Sequence, residues 1–329
     1  MGWKIAAIAR YRTAVAVVAV CGPWWCACHQ STHASVAPTQ LTVLTGGTGG
    51  SFYPLGEKLV RIYNNAVPGV SATAQSTVAS IFNVRALQEG KADVAFAQAD
   101  VSYLAYRGVL PHVESPHSRL RGMAVLWVNT VQLVVRRDSS LRRVSDLRGR
   151  RIGVGSQDSG TEVAARMVIE GHGMNYRELT PEFLSFSEVV ARMKARALDA
   201  GFVVASYPVS AVAEMNTSFG VRIIPIQPSV VTHIRTQYPF MRAVTIPKNT
   251  YAGQSEDITT VGVDNLLICR ADLPEQLVYR LTKSLFDSLP DLARTDGAAA
   301  LMDPDQGPIT PIPLHAGAAR FYREREILR

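Results

Sequence analysis

The strongest constraint in this chain is a script that it runs in both halves. A short β-branched, apolar run is followed by a turn of glycines and small hydroxyl residues, and then by an amphipathic segment. Leu41–Thr45 leads into Gly46-Gly47-Thr48-Gly49-Gly50-Ser51 and then Tyr53–Leu59. Arg151–Gly155 leads into Ser156–Thr161, with a helix expected from about Glu162 to Glu170. Between them, Val70–Ala74 reads as a strand, Gln75-Ser76-Thr77 as its turn, and Ile81, Val84 and Leu87 as one face of a helix closed by Gly90. Ala92–Gln98 reads as the next strand. Ser159 to Glu162 and Ser185 to Glu188 have capping-box spacing, and a helix is expected after Ser187. Strands alternating with helices imply an α/β protein with a mostly parallel sheet under helical cover.

Two strand-like runs echo each other about 130 residues apart: Leu133-Val134-Val135-Arg136-Arg137-Asp138 and Leu266-Leu267-Ile268-Cys269-Arg270-Ala271-Asp272. Each opens onto new material, which suits two chain crossings between two α/β lobes. On this reading lobe 1 is discontinuous, residues 38–134 plus 264–329, and lobe 2 is the insert 135–263. A length of 329 residues is ample for two cores and a leader.

Residues 1–37 read as that leader. They carry Lys4, Arg10 and Arg12, no acidic side chain, and an apolar run from Ala14 to Val20. A basic start, a short apolar stretch and then small residues is the pattern of an export signal. The run is too short for a confident membrane span. Cleavage near Ala34 or Ala37 is one expectation, and lipidation at Cys28 the other. The formal charge of +7 falls to +4 without the leader, and no dense basic block interleaved with aromatics remains. Nucleic acid is therefore excluded as a partner. Cys21, Cys26 and Cys28 also lie in the leader, so Cys269 stands alone in the body and no intrachain disulfide framework is possible there.

Enzyme motifs fail on spacing. A dinucleotide fingerprint beginning at Gly47 or Gly153 would need glycine at 52 or 158, where Phe52 and Asp158 stand. Gly56-Glu57-Lys58 lacks the phosphate-loop gap, and no Gly-x-Ser-x-Gly elbow occurs. His112, His117, His172, His233 and His315 form no ligand pattern and read as surface or loop residues, while Asp303-Pro304-Asp305 reads as a turn. No catalytic constellation, metal site or cofactor is expected. What the turns do offer is hydroxyls and backbone N–H groups beyond the carboxyl ends of strands, where small anions bind in open α/β sheets. Any one of these Ser or Thr residues could be an ordinary helix cap. The set, repeated at matching places in both halves, favours binding of a small acidic solute.

Thr45–Gly56 resembles the opening motif of TAXI-type solute receptors, the TRAP-associated extracytoplasmic immunogenic proteins. The resemblance continues through Gln75-Ser76-Thr77, Asp93–Asp100, Asp146–Arg150, Gly155–Glu162, Ile246–Tyr251 and Pro313–Tyr322, covering residues 41 to 324 in unbroken order. It implies a two-lobed, type II periplasmic-binding-protein-like fold, with the lobes joined by a hinge of crossing strands. It also implies a non-enzymatic receptor, exported to the periplasm. Such a receptor would hand a glutamate- or dicarboxylate-like solute to the membrane subunits of a TRAP-type transporter. A ligand-sensing receptor or adaptor for a membrane signalling protein is the alternative. Carried over, the pocket would draw on Thr48, Gly50, Ser51, Tyr53, Ser76, Thr77, Ser80 and Gln98 from lobe 1. Ser156, Ser159, Gly160, Thr161 and Tyr207 would supply lobe 2. The chain departs from the family at Val78-Ala79-Ser80, usually Gly-Gly-Ser, and at Gly201–Pro208, usually more aromatic. Both departures touch the expected pocket. The sequence leaves open whether Arg85 or Arg235 enters it.

Overall fold

A computed structural model describes residues 38–110, 115–238 and 240–328. The leader, with Cys28 and both expected cleavage points, lies outside the described residues.

The script folds as read at its core. Strand β1 (Thr39–Leu44) turns into α1 (Phe52–Ala66); β2 (Val70–Gln75) turns into α2 (Ser80–Gln88); and β3 (Val94–Gln98) runs directly into α3 (Ala99–Arg107). Helix α2 buries Ile81, Val84 and Leu87 and stops at Gly90, whose φ of +73 closes its end as expected. A long strand, β4 (Leu120–Arg136), then carries the chain onward. The second set comprises β5 (Arg151–Gly153), α4 (Gly160–Gly171), β6 (Thr180–Glu182), α5 (Phe186–Lys194), β7 (Ala200–Ala205), α6 (Ser210–Phe219) and β8 (Val221–Ile224). Helix α7 (Pro228–Gln237) and β9 (Met241–Ile246) lead to β10 (Ile258–Arg270), which returns past β4 to α8 (Glu275–Asp287), α9 (Leu289–Thr295) and α10 (Ala316–Glu324).

The sheet order is β2-β1-β3-β10-β4-β7-β5-β6, with β8 also on β4 and β9 also on β10. This corrects the expectation of a mostly parallel sheet. The β1–β2, β1–β3, β5–β6 and β5–β7 pairs are parallel, whereas every pairing made by β4 or β10 is antiparallel. The reason lies in the two echoing runs, which are the carboxyl ends of β4 and β10. One strand carries the chain out and the other carries it back, so they must oppose each other and their neighbours.

Apolar packing forms three clusters, the largest of which runs through both sets of elements. One cluster joins α1, β1 and β2 to α8 and α10 around Trp127, Tyr63 and Tyr322. Another joins β7, α5 and α6 around Phe186, Val189 and Met215, and a third spans residues from Leu44 to Ile312. The histidines correct a second expectation. His315 is buried at the start of α10, its Nδ1 accepting from the Gly317 N–H while Nε2 faces the Leu273 carbonyl at 3.1 Å. His117 is buried as well, and burial lowers both rings' affinity for a proton. Asp303 does form a turn, accepting from the Asp305 N–H.

One buried side chain ties the first turns together. Asn83 on α2 is fully buried and donates to the Thr45 and Phe96 carbonyls, each at 2.7 Å, while accepting from Thr77 Oγ1 at 2.7 Å. It thereby fixes the ends of β1 and β3 against the start of α2. Asn83→Ala should lower unfolding stability by about 2–4 kcal/mol, because buried carbonyls lose donors that water cannot replace; urea denaturation reads the loss directly.

Candidate functional site

Three turns converge on a cavity of about 50 Å³. The β1–α1 turn contributes Gly46, Gly47, Gly50 and Ser51, and Phe52 follows as the first residue of α1. The start of α2 contributes Ala79 and Ser80, and the end of β3 contributes Gln98. The start of α4 contributes Gly160 and Thr161 from the second set. Asn129 from β4, Phe186 from α5, and Val204 and Ala205 from β7 complete the lining.

Contacts cross this cavity from one set of elements to the other. Ser51 Oγ lies 2.5 Å from Ser206 Oγ and accepts from the Ser206 N–H at 3.2 Å. Ser210 Oγ donates to the Gly49 carbonyl at 3.0 Å. The Asp158 carbonyl accepts from the N–H groups of Ile81 and Phe82, each at 3.2 Å, which caps α2 from across the cleft. Its carboxylate meets Arg85 at 3.2 Å, with both side chains 39% exposed; at that exposure the pair orients the rim more than it stabilises the fold. Gly160 sits tightly against the first set, since a Cβ there would meet the Gln98 amide carbon at 2.6 Å and Ser80 Oγ at 2.8 Å. Any side chain at this position would force the two walls apart.

The expected pocket residues divide in two. Gly50, Ser51, Ser80, Gln98, Gly160 and Thr161 face the cavity. The others do not line it. Ser76 Oγ donates to the Gly46 carbonyl, and Thr77 Oγ1, bonded to Asn83, accepts from the Ala79 N–H, so both hold the turn's shape. Ser159 caps α4 by accepting from the Glu162 N–H. Thr48 is exposed and Ser156 half-buried, its carbonyl accepting from the Ser159 N–H. Tyr53 is displaced by its neighbour Phe52, because the helix turns residue 52 inward. Tyr207 packs on the β7–α6 cluster with its hydroxyl 3.4 Å from the Thr245 carbonyl. Phe186 takes the aromatic place expected of it. Arg85 stays at the rim, and Arg235 is exposed on α7.

The carried-over set lacked Gly46, Gly47, Phe52, Asn129 and Phe186, and it lacked Ala79, Val204, Ala205 and Ser206 although these fall in the two departing segments that touch the expected pocket. Ser206 and Phe186 each adjoin a residue that sequence reasoning did single out, Tyr207 and Ser185. Asn129 had no local signal, being one of two amides, with Gln132, inside a buried apolar strand. That amide belongs to a network: Trp127 Nε1 donates to Asn129 Oδ1 at 3.0 Å, and Asn129 Nδ2 donates to Asn265 Oδ1 at 2.9 Å. Gln98 stands directly opposite Asn265 across the β3–β10 pairing. Gln98 is 2% exposed, and its Oε1 is buried with no hydrogen-bond partner.

Helix starts bring partial positive charge to the site, although the Asp158 carbonyl already takes the Ile81 and Phe82 N–H groups of α2 and Glu162 stands in the first turn of α4. The starts of α1, α2 and α4 all meet it, and each helix start carries roughly half a positive charge on N–H groups that lack partners within the helix. The N–H groups of Gly160 and Thr161 belong to this first turn. A single anionic group is what such an arrangement stabilises. Among the described residues, no group of three or more His, Cys, Asp or Glu could hold a metal ion.

The NMT1-like family model matches residues 43–325. Among solved structures, the chain is similar to the alkanesulfonate-binding protein SsuA from Xanthomonas axonopodis pv. citri bound to MOPS, at TM-score 0.52 and 17% identity over 90% of this chain and 96% of that one. It is also similar to a putative L-cystine ABC transporter protein from Listeria monocytogenes, at TM-score 0.52 and 14% identity over 80% and 98%. A third is PhnD1 from Prochlorococcus marinus in complex with methylphosphonate, at TM-score 0.51 and 14% identity over 80% and 88%. These likenesses establish the fold, that of type II periplasmic binding proteins.

Two outcomes follow from the site's strained and buried groups. Ala79 holds φ +77 and ψ −140, a region that only glycine enters freely. Ala79→Gly should therefore stabilise the protein by about 1 kcal/mol despite glycine's looser unfolded chain, seen as a higher urea midpoint. Asp100, just past Gln98, is fully buried with Oδ2 unpartnered, and burial pushes its carboxyl up to about 7. Its folded pKa is raised, so its favourable contribution is complete below about pH 4 and is lost as pH rises to 7. The melting temperature of Asp100→Asn should gain on that of the parent as pH rises from 4 to 7; a constant difference would contradict it.

Proposed function

From the premise that this chain belongs to the NMT1-like family and has the periplasmic binding-protein fold, we propose that it is an exported receptor for a small carboxylate. The observation that carries this reading is the convergence of helix starts and the neutral hydroxyls of Ser51, Ser80 and Thr161 on one cavity, with hydrogen bonds crossing it. Such a site captures an anion by closing around it and needs no catalytic group. Division into two lobes, 38–134 plus 264–329 and 135–263, places the cavity between them and makes β4 and β10 the hinge. A permease of TRAP type is the partner that the motif resemblance supports, and the leader's composition supports export. Among the described residues, no helix is long and apolar enough to cross a membrane.

In this reading the solute's carboxylate accepts from the first-turn N–H groups of α4 and from Thr161 Oγ1. Ser51 and Ser80 flank it, and Phe52 and Phe186 cover its apolar part. Screening purified protein against small organic acids by thermal shift tests the reading. A true ligand at about 100 times Kd should add about 2.7 kcal/mol of stability. Thr161→Val should weaken that ligand about tenfold or more, since a lost hydrogen bond to a charged group is worth about 1.5–3 kcal/mol. A fold that no organic acid stabilises would remove the proposal.

A further inference from the structure

Resting on the receptor reading, the lining of the cavity narrows the class of acid. Among the described residues, none of the side chains that line it carries a formal charge. Arg85 and Asp158 satisfy each other at 3.2 Å, and Glu162, next to the lining Thr161, is paired with Arg166. The polar groups that do face inward are neutral: the hydroxyls of Ser51, Ser80 and Thr161 and the amides of Gln98 and Asn129.

With the α2 start already capped by the Asp158 carbonyl, the α1 and α4 starts supply partial positive charge, which serves one anionic group. A second carboxylate would find no cation among the lining residues. An ammonium group would fare worse, because no carboxylate lines the cavity and the same helix starts repel it. Size argues the same way, since drug-sized ligands occupy pockets of roughly 300–1,000 Å³, against about 50 Å³ here. The apolar part of the lining, Phe52, Phe186, Val204 and Ala205, matches a short hydrocarbon body.

We infer that the ligand is a compact monocarboxylate without an ammonium group, held at one end by the α4 start and at the other by Phe52 and Phe186. Dicarboxylates and α-amino acids are discriminated against, because the site offers no partner for their second charge.

Isothermal titration of the full chain with propionate, lactate, succinate and L-glutamate tests this. Propionate or lactate should bind at least tenfold tighter than succinate and glutamate, and Gly160→Ala should weaken that binding tenfold or more while the protein keeps a cooperative melting transition. Tighter or equal binding of succinate or glutamate would overturn the inference and leave the receptor reading standing. Monocarboxylate binding that survives Gly160→Ala unchanged would place the ligand elsewhere and overturn it too. If none of the four acids binds, the inference fails together with the small-carboxylate reading on which it rests.

Discussion

The antiparallel pairing of β4 with β10 is the constraint on which the rest of the structure depends. Its register runs from Thr130 opposite Gly262 to Leu120 opposite Arg270. At one end of that register, β4 gives its other edge to β7, with Thr130 opposite Ala205. Close by, β10 gives its other edge to β3, with Asn265 opposite Gln98. The carboxyl ends of β3 and β7 are thus brought to the same level of the sheet, two strands apart. Because each end feeds a turn or a helix start, the cavity lies where the two crossings meet. Gly262 is required there: a Cβ would approach Val128 at 2.5 Å and Val244 at 2.7 Å, where β10 lies between β4 and β9.

Polar groups buried at the crossing make that register specific. Asn129 and Asn265 bond to each other, Tyr251 donates to Gln132 Oε1 at 2.6 Å, and Thr260 donates to the Val131 carbonyl at 2.7 Å. A slip by one residue would leave these amides facing apolar side chains, at a cost of about 1–3 kcal/mol for each unsatisfied group. The same network reaches the cavity through Asn129, so the floor of the site is as rigid as the core beneath it. The walls are different: they meet through a few hydroxyl–hydroxyl, hydroxyl–carbonyl and N–H–carbonyl bonds at Ser51, Ser210 and Asp158. The floor is tied into the core network, whereas few bonds join the walls.

Much of the fold was legible because its signals are local. Periodicity marks the buried face of α2, the Ser185–Glu188 capping box is present as spaced, and Gly90 ends its helix with positive φ. The paired runs Leu133–Asp138 and Leu266–Asp272 fall at the carboxyl ends of β4 and β10. The direction of those strands was not legible, since an apolar run reads alike in parallel and antiparallel ladders. The site was half legible for a related reason. A serine near a helix start looks the same whether it caps, as Ser159 does, or faces a cavity, as Ser51 does. A one-residue change of helical phase likewise exchanged Tyr53 for Phe52.

By itself the sequence determined which segments become strands and helices and where the turns of small residues fall. It also limited the chemistry at those turns to hydroxyls, amides and backbone N–H groups. Only the tertiary structure decided which turns meet, that Gly160 closes against Gln98 and Ser80, and that Asn129 and Phe186 join them. The reason is physical: capping and periodicity act within a few residues, whereas the cavity is formed by long-range strand pairing. The charge-free character of the site emerges only there, when Arg85 is drawn to Asp158 at the rim.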